Sequence, residues 1–224
     1  MTSFSKKDAL ALLKKYNVDR RVMDHLFAVH DYAMEIASKA DCDLDLVEAG
    51  SLLHDIGRTR SQGMDHALAG AEILRKEGVD ERIVKIVERH LGAGLTPEEA
   101  QKLRLPPGNY VPETLEEKIV CHADNLIGST ERVSIQDTIK SARKKWFPAS
   151  VERLIKMHFE VFKPDRVTVR KKSPEIKVQK LDAILDKFDL LYKVKSEGST
   201  SIIELYGRDS EKAASLLKKR LNEI

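Results

Sequence analysis

Apolar positions recur every three to four residues along most of the first two thirds of the chain. Val22, Leu26, Val29, Ala33 and Ile36 share one helical face, Ile83, Ile86 and Val87 a second, and Leu115, Ile119, Val120, Ala123 and Ile127 a third. That spacing is the signature of helices with one buried side. Residues 5 to 162 therefore read as helical almost throughout. The long exception is Leu105 to Pro112 (LPPGNYVP), where three prolines and a glycine forbid a helix. Gly57 and Gly78 read as helix stops, and Pro97 and Pro148 as first residues of new helices.

Near Pro164 the period changes. Arg166 to Lys171 (RVTVRK) alternates as a half-buried strand does, and Leu190 to Lys195 and Ser201 to Tyr206 flank the turn-forming Glu197, Gly198 and Ser199. One amphipathic helix (Leu181, Ile184, Leu185, Phe188) lies between these strands and another (Leu217, Leu221, Ile224) follows them. The expected fold is mainly α: a helical body over residues 1–162, then a small α+β module over 163–224 reading strand, helix, hairpin, helix.

Composition narrows the setting. The 224 residues are 42% hydrophobic and 33% charged, enough to bury a sizeable core. No apolar run approaches the roughly 18 residues of a membrane helix, and the start MTSFSKKD lacks a signal-peptide core. A cytoplasmic protein with no membrane partner is expected. Cys42 and Cys121 lie far apart, in different expected helices and without CxxC spacing, and read as ordinary core thiols rather than a disulfide or zinc ribbon. The formal charge of +3 is unevenly spread. From Lys163 onward 15 lysines and arginines face 10 acids, so the tail carries +5 and the body −2.

Several costly polar groups fall on the apolar stripes. His25 sits with Val22, Leu26 and Val29; His66 with Ala69, Gly70 and Ile73; His90 with Ile83, Ile86 and Val87; Asp124 with Val120, Ala123 and Ile127. Ser51 to Arg58 (SLLHDIGR) adds His54 and Asp55 side by side at the end of an apolar run. A single inward histidine is most simply a core residue with one hydrogen bond, and His158, with His30 more loosely, passes the same test. Inward aspartates weigh more, because Asp is rarely buried without a partner. His25, His54, Asp55 and Asp124, drawn from three helices, would offer two nitrogen and two oxygen donors, a set that suits Mn, Fe, Co, Ni or Zn better than Mg or Ca.

On these residues the sequence resembles the HD superfamily of metal-dependent phosphohydrolases, in particular the HDIG subgroup and its small stand-alone archaeal members. The likeness is ordered: His25 in HLFAV, the doublet His54-Asp55 before Ile56-Gly57, and Asp124 in HADNL, spanning roughly residues 20 to 162. It implies an HD-domain helical bundle in which His25, His54, Asp55 and Asp124 hold one divalent ion. His66 and His90 match the positions that hold a second ion in two-metal members, with Asp55 as the bridge. One ion is expected, with a second open. His90-Leu91 stands where cyclic-dinucleotide phosphodiesterases pair two histidines, and their Gly-Tyr-Pro signature is missing, which disfavours that substrate. His30, His122 and His158 match no ligand position.

The expected function is hydrolysis of a nucleotide-like phosphomonoester, phosphodiester or phosphoanhydride. A bound divalent ion lowers the pKa of its water from 15.7 to about 7 and polarises a phosphoryl oxygen. Asp55 and Arg58 are the expected catalytic residues, with Arg58, Arg89 and Arg132 (and Arg60 in reserve) as phosphate-binding groups. Asp55, His66 or His90 would take the proton. The basic module, through Arg170 to Lys172 and Lys218 to Arg220, could contact RNA; the plainer expectation is a solvated face that packs on the body or pairs two copies. The alternative is a non-catalytic nucleotide- or RNA-binding regulator with a structural metal.

Overall fold

Capping side chains mark where the helices of the body begin. The body runs α1 (Lys6–Lys15), α2 (Arg20–Ala37), α3 (Leu44–Leu53), α4 (His66–Lys76), α5 (Glu81–Glu88), α6 (Pro97–Lys102), α7 (Leu115–Asn125), α8 (Ile135–Lys145) and α9 (Pro148–Val161). Ser5, Asp19, Asp43, Asp80, Thr96, Thr114 and Ser134 each accept a backbone N–H of the turn that follows, satisfying donors that the helix itself cannot. Pro97 and Pro148 stand at the first helical positions, as their spacing implies. This computed structural model describes residues 4–163, 165–173 and 175–224. Pro164, where the sequence period changes, and the first three residues of MTSFSKKD lie outside the described residues.

Two apolar clusters share the body. Leu13, Leu26, Leu52, Leu53, Leu74 and Ile83 join α1 to α5. Val29, Ala33, Ile119, Leu126, Ile139 and Leu154 join α2 to α7, α8 and α9. Because α2 feeds both, with Leu26 in one cluster and Val29 in the other, the two meet along it just after His25 in its second turn. Leu91, Leu95, Leu105 and Tyr110 pack the irregular 103–114 segment, whose proline-rich sequence has no helical alternative.

Gly57 differs from expectation. Helix α3 ends at Leu53, and Gly57 lies within a short 3-10 turn, Ile56–Thr59, rather than stopping a helix. A Cβ there would lie 1.9 Å from His66 O and 2.5 Å from the Gly70 nitrogen, so the residue is needed for space. Gly78, at φ +71 just after α4, is the stop its position implies. Cys42 also departs from the reading: it lies in the loop between α2 and α3, half-buried, whereas Cys121 is buried on α7.

The C-terminal elements are β1 (Val167–Lys171), α10 (Val178–Leu185), β2 (Leu191–Glu197), β3 (Thr200–Tyr206) and α11 (Ser210–Lys219). The sheet is antiparallel in the order β1-β3-β2, with Val169 and Val194 both opposite Ile203. Central β3 is buried along nearly its whole length and β2 faces outward. Val169, Leu181, Ile203, Leu205 and Leu217 form a separate core beneath the sheet. Tyr206 leaves that core to pack in the body's. His158 on α9 bonds the Tyr206 carbonyl at 2.8 Å, and Gln136 on α8 donates to the carbonyls of Phe188 and Leu190. Among the described residues no helix is long and apolar enough to cross a membrane.

Candidate metal centre

Five elements deliver six side chains to one point. His25 comes from α2, His54 and Asp55 from the turn that ends α3, His66 from the first position of α4, His90 from just past α5, and Asp124 from α7. His25 Nε2 lies 3.0 Å and His54 Nε2 3.5 Å from Asp124 Oδ1. On the other side, His66 Nε2 lies 3.0 Å and His90 Nε2 3.6 Å from Asp55 Oδ1. Ligand atoms of His25, His54 and Asp55 all fall within 4.8 Å of one another, as do those of Asp55, His66 and His90. Asp55 belongs to both groups.

The backbone sets the tautomers. His25 Nδ1 meets Ser129 O at 2.9 Å, His54 Nδ1 meets Ser51 O at 2.8 Å, His66 Nδ1 meets Gly63 O at 2.7 Å and His90 Nδ1 meets Val87 O at 2.7 Å. A carbonyl only accepts, so each Nδ1 carries a proton, and in the neutral ring each Nε2 presents a lone pair inward. Imidazoles that ligate metals are oriented in this way. Asp55 is divided similarly: Arg58 Nε donates to Oδ2 at 2.7 Å, leaving Oδ1 for the cluster.

The arrangement leaves ligand atoms unsatisfied. Among the described residues His54 Nε2 and Asp55 Oδ1 are buried without a hydrogen-bond partner, and His66 Nε2 faces His90 Nε2 at 3.1 Å, lone pair to lone pair when both rings are neutral. Burial disfavours a charged His54, but the carboxylate of Asp124 outweighs it and lifts the imidazole to about 9. Burial likewise opposes ionisation of Asp124, yet His54 and His25 hold its carboxyl well below the usual range. For His90, burial prevails and lowers the pKa. These groups want a cation among them. The donor set fits a divalent ion: His25, His54 and Asp55 could hold one, with Asp124 Oδ1 3.0 Å from His25 Nε2 beside them, and Asp55, His66 and His90 could hold a second.

The arginines divide. Arg58 reaches the cluster through Asp55 and lines the adjoining cavity. Arg89, expected at a substrate phosphate, is instead clamped by Glu117 at 3.0 Å and Glu113 at 2.9 Å, tying α5 to α7. Arg132 pairs with Glu35 and lies over the Tyr32 ring at 4.2 Å. Arg60 lies 3.7 Å from Glu72. The other three histidines stand apart from the cluster: His30 meets Asp31 and Lys6, and His122 pairs with His158 at 3.0 Å. A cavity of about 450 Å³ opens on the cluster, lined by Arg58, His66, His90 and Asp124 and also by Trp146 and Phe147. Nothing in the periodicity places Trp146 there, because only the packing of α8 and α9 on the body brings it to the cavity.

The signature of the HD domain matches residues 22–128, which contain all six cluster residues. A protein of Methanocaldococcus jannaschii that itself has no described function is 48% identical over 160 residues, covering 68% of this chain and 94% of that one. The chain belongs to the HD-domain family. It is also similar to a tRNA (cytidine(56)-2'-O)-methyltransferase of Thermoplasma volcanium, 52% identical over 149 residues, or 66% of this chain and 44% of that protein. A ribonuclease Y of Acidothermus cellulolyticus is 38% identical over 73 residues, or 32% of this chain and 15% of that protein. The chain thus spans less than half the length of the methyltransferase-named relative.

Proposed function

We propose that this protein is a metal-dependent phosphohydrolase acting on a nucleotide-like phosphate ester or anhydride. The observation that carries the reading is the set of four backbone-locked imidazoles turning Nε2 atoms toward two carboxylates, the buried Asp55 and the partly buried Asp124. His25, His54, Asp55 and Asp124 would hold one divalent ion, and His66 and His90 a second, with Asp55 between them. When bound, such an ion supplies Lewis acidity and an acidified water. The chain's own groups do the rest. Arg58, fixed by Asp55 through Nε, has no bond from its other nitrogens among the described residues and can donate them to phosphoryl oxygens, which planar guanidinium groups bind well. Asp55 Oδ1, or Nε2 of His66 or His90 where no second ion binds, is in reach to accept the proton. Arg89 and Arg132 are not carried into this reading, since carboxylates already occupy them.

The names of the relatives favour RNA as the source of the phosphate ester. One is named for tRNA and another as a ribonuclease. In our reading the methyl transfer of the first belongs to the part of that protein that this chain does not match. The same names support a second reading, an RNA-binding module whose metal is structural. A panel of nucleotides and short RNAs with Mn, Co, Ni and Mg separates the two. Metal-dependent release of phosphate or nucleotide supports the enzyme. A tightly held metal with no turnover across the panel, together with salt-sensitive RNA binding, supports the module and defeats the enzyme.

A further inference from the structure

Trp146 occupies the turn between α8 and α9, beyond the residues matched by the HD signature. Its indole edge lies beside Gly92: a Cβ there would be in ordinary van der Waals contact with Trp146 Cη2 and Cζ2 at 3.5 Å. Gly92 is two residues past His90 and is pinned from the opposite side, its carbonyl accepting from Asn125 Nδ2 at 2.5 Å and Cys121 Sγ at 3.0 Å. The indole therefore lies against the segment that carries His90, which α7 anchors through the Gly92 carbonyl. It is only partly buried, and it lines the same cavity as His66, His90 and Asp124.

A cavity of about 450 Å³ lies within the roughly 300–1,000 Å³ of small-ligand sites. It combines aromatic faces, Trp146 and Phe147, with cationic groups, Arg58 and Lys145, beside the carboxylate and imidazole cluster. We propose that Trp146 is the specificity-determining residue of the site, stacking on the heteroaromatic base of a single unpaired nucleotide whose phosphate is held by Arg58 at the cluster. Aromatic side chains stack on any base because every base offers a π face, and an unpaired base leaves that face open to the indole. The inference rests on the phosphohydrolase reading for its phosphate end only.

Trp146 is the single tryptophan of the chain, so its fluorescence reports on this cavity alone. Adenosine 5′-monophosphate and ribose 5-phosphate, which differ by the base, are titrated into the metal-free and the metal-loaded protein. Quenching by the nucleotide and none by the sugar phosphate is expected. Turnover supplies the second readout: in Trp146→Ala the ratio of kcat/KM for the nucleotide to that for the sugar phosphate falls about 10-fold, and Trp146→Phe retains it. A purely structural role would lower both substrates together and leave the ratio unmoved, which overturns the proposal. Quenching by the nucleotide without phosphate release under any metal upholds the stacking and defeats only hydrolysis of this phosphomonoester. Equal hydrolysis of both compounds without quenching defeats the stacking and leaves the hydrolase standing.

Discussion

His66 Nε2 lies 3.1 Å from His90 Nε2, while both Nδ1 atoms are held by backbone carbonyls. With both rings neutral, two lone pairs meet at that separation, and a positive charge beside them relieves the repulsion. The expected charge is a second divalent ion shared with Asp55. Protein prepared without chelator and loaded with Mn should hold two ions per chain by elemental analysis, and His66→Ala should hold one. Identical stoichiometry in the two proteins would remove the second position while leaving the first intact.

Asp55 is the one ligand common to both groups. Asp55→Ala should abolish binding of both ions and hydrolysis together. It should also erase the thermal stabilisation that metal confers, about 2.7 kcal/mol at a hundredfold excess over Kd. Scanning calorimetry with and without Mn reads the second effect independently of any substrate. Metal-free Asp55→Ala protein that still turns over a phosphodiester would refute the role assigned to this carboxylate.

Much of this arrangement was legible in the amino-acid pattern, for a physical reason. His25 and Asp124 stand on apolar stripes because the faces that build the core also aim them inward, and a helical period carries that information. The alternation of Arg166 to Lys171 and the glycine turn at 198 likewise announced the β1 strand and the β2–β3 hairpin. What periodicity lacks is tertiary contact. Trp146 obeys no stripe, and only the packing of α9 against α7 and α8 sets it at the cavity. Arg89 and Arg132 looked available because an arginine's partners in a pattern are unknown; Glu117 and Glu35 come from other helices. Gly57 was readable as a residue that must be glycine, but the reason is the His66 carbonyl pressed against it and not a left-handed turn.

That contact gives a third expectation. An added methyl at position 57 would overlap His66 O at 1.9 Å, a backbone atom that cannot rotate away. Gly57→Ala should therefore push the start of α4 outward and move the His66 imidazole with it, costing about 1–3 kcal/mol of stability as overpacked cores do. Chemical denaturation reads the loss, and metal titration should show the second ion weakened more than the first. A variant as stable as the wild type, with both ions bound as tightly, would show that the turn relaxes freely.

His158 links the two parts of the molecule, meeting His122 Nε2 at 3.0 Å through Nδ1 and the Tyr206 carbonyl of β3 at 2.8 Å through Nε2. Burial disfavours its charged form more than the Tyr206 carbonyl favours it, and the pKa falls to about 4. Burial and the neighbouring His158 lower His122 as well. An unfolded histidine titrates near 6.5, so between those values the unfolded chain binds the extra proton and the folded one does not. The neutral pair thus contributes fully above about 6.5, and stability declines as pH falls toward 4, by about 3 kcal/mol for His158 over the whole window. Carboxylates titrate in part of the same range, so the difference between proteins is the measure. His158→Gln keeps an N–H for Tyr206 and an acceptor for His122 but does not titrate. Urea midpoints compared from pH 7 to 4.5, with chelator present throughout, should fall more steeply for the wild type than for His158→Gln; parallel lines would show that the buried pair does not govern acid sensitivity.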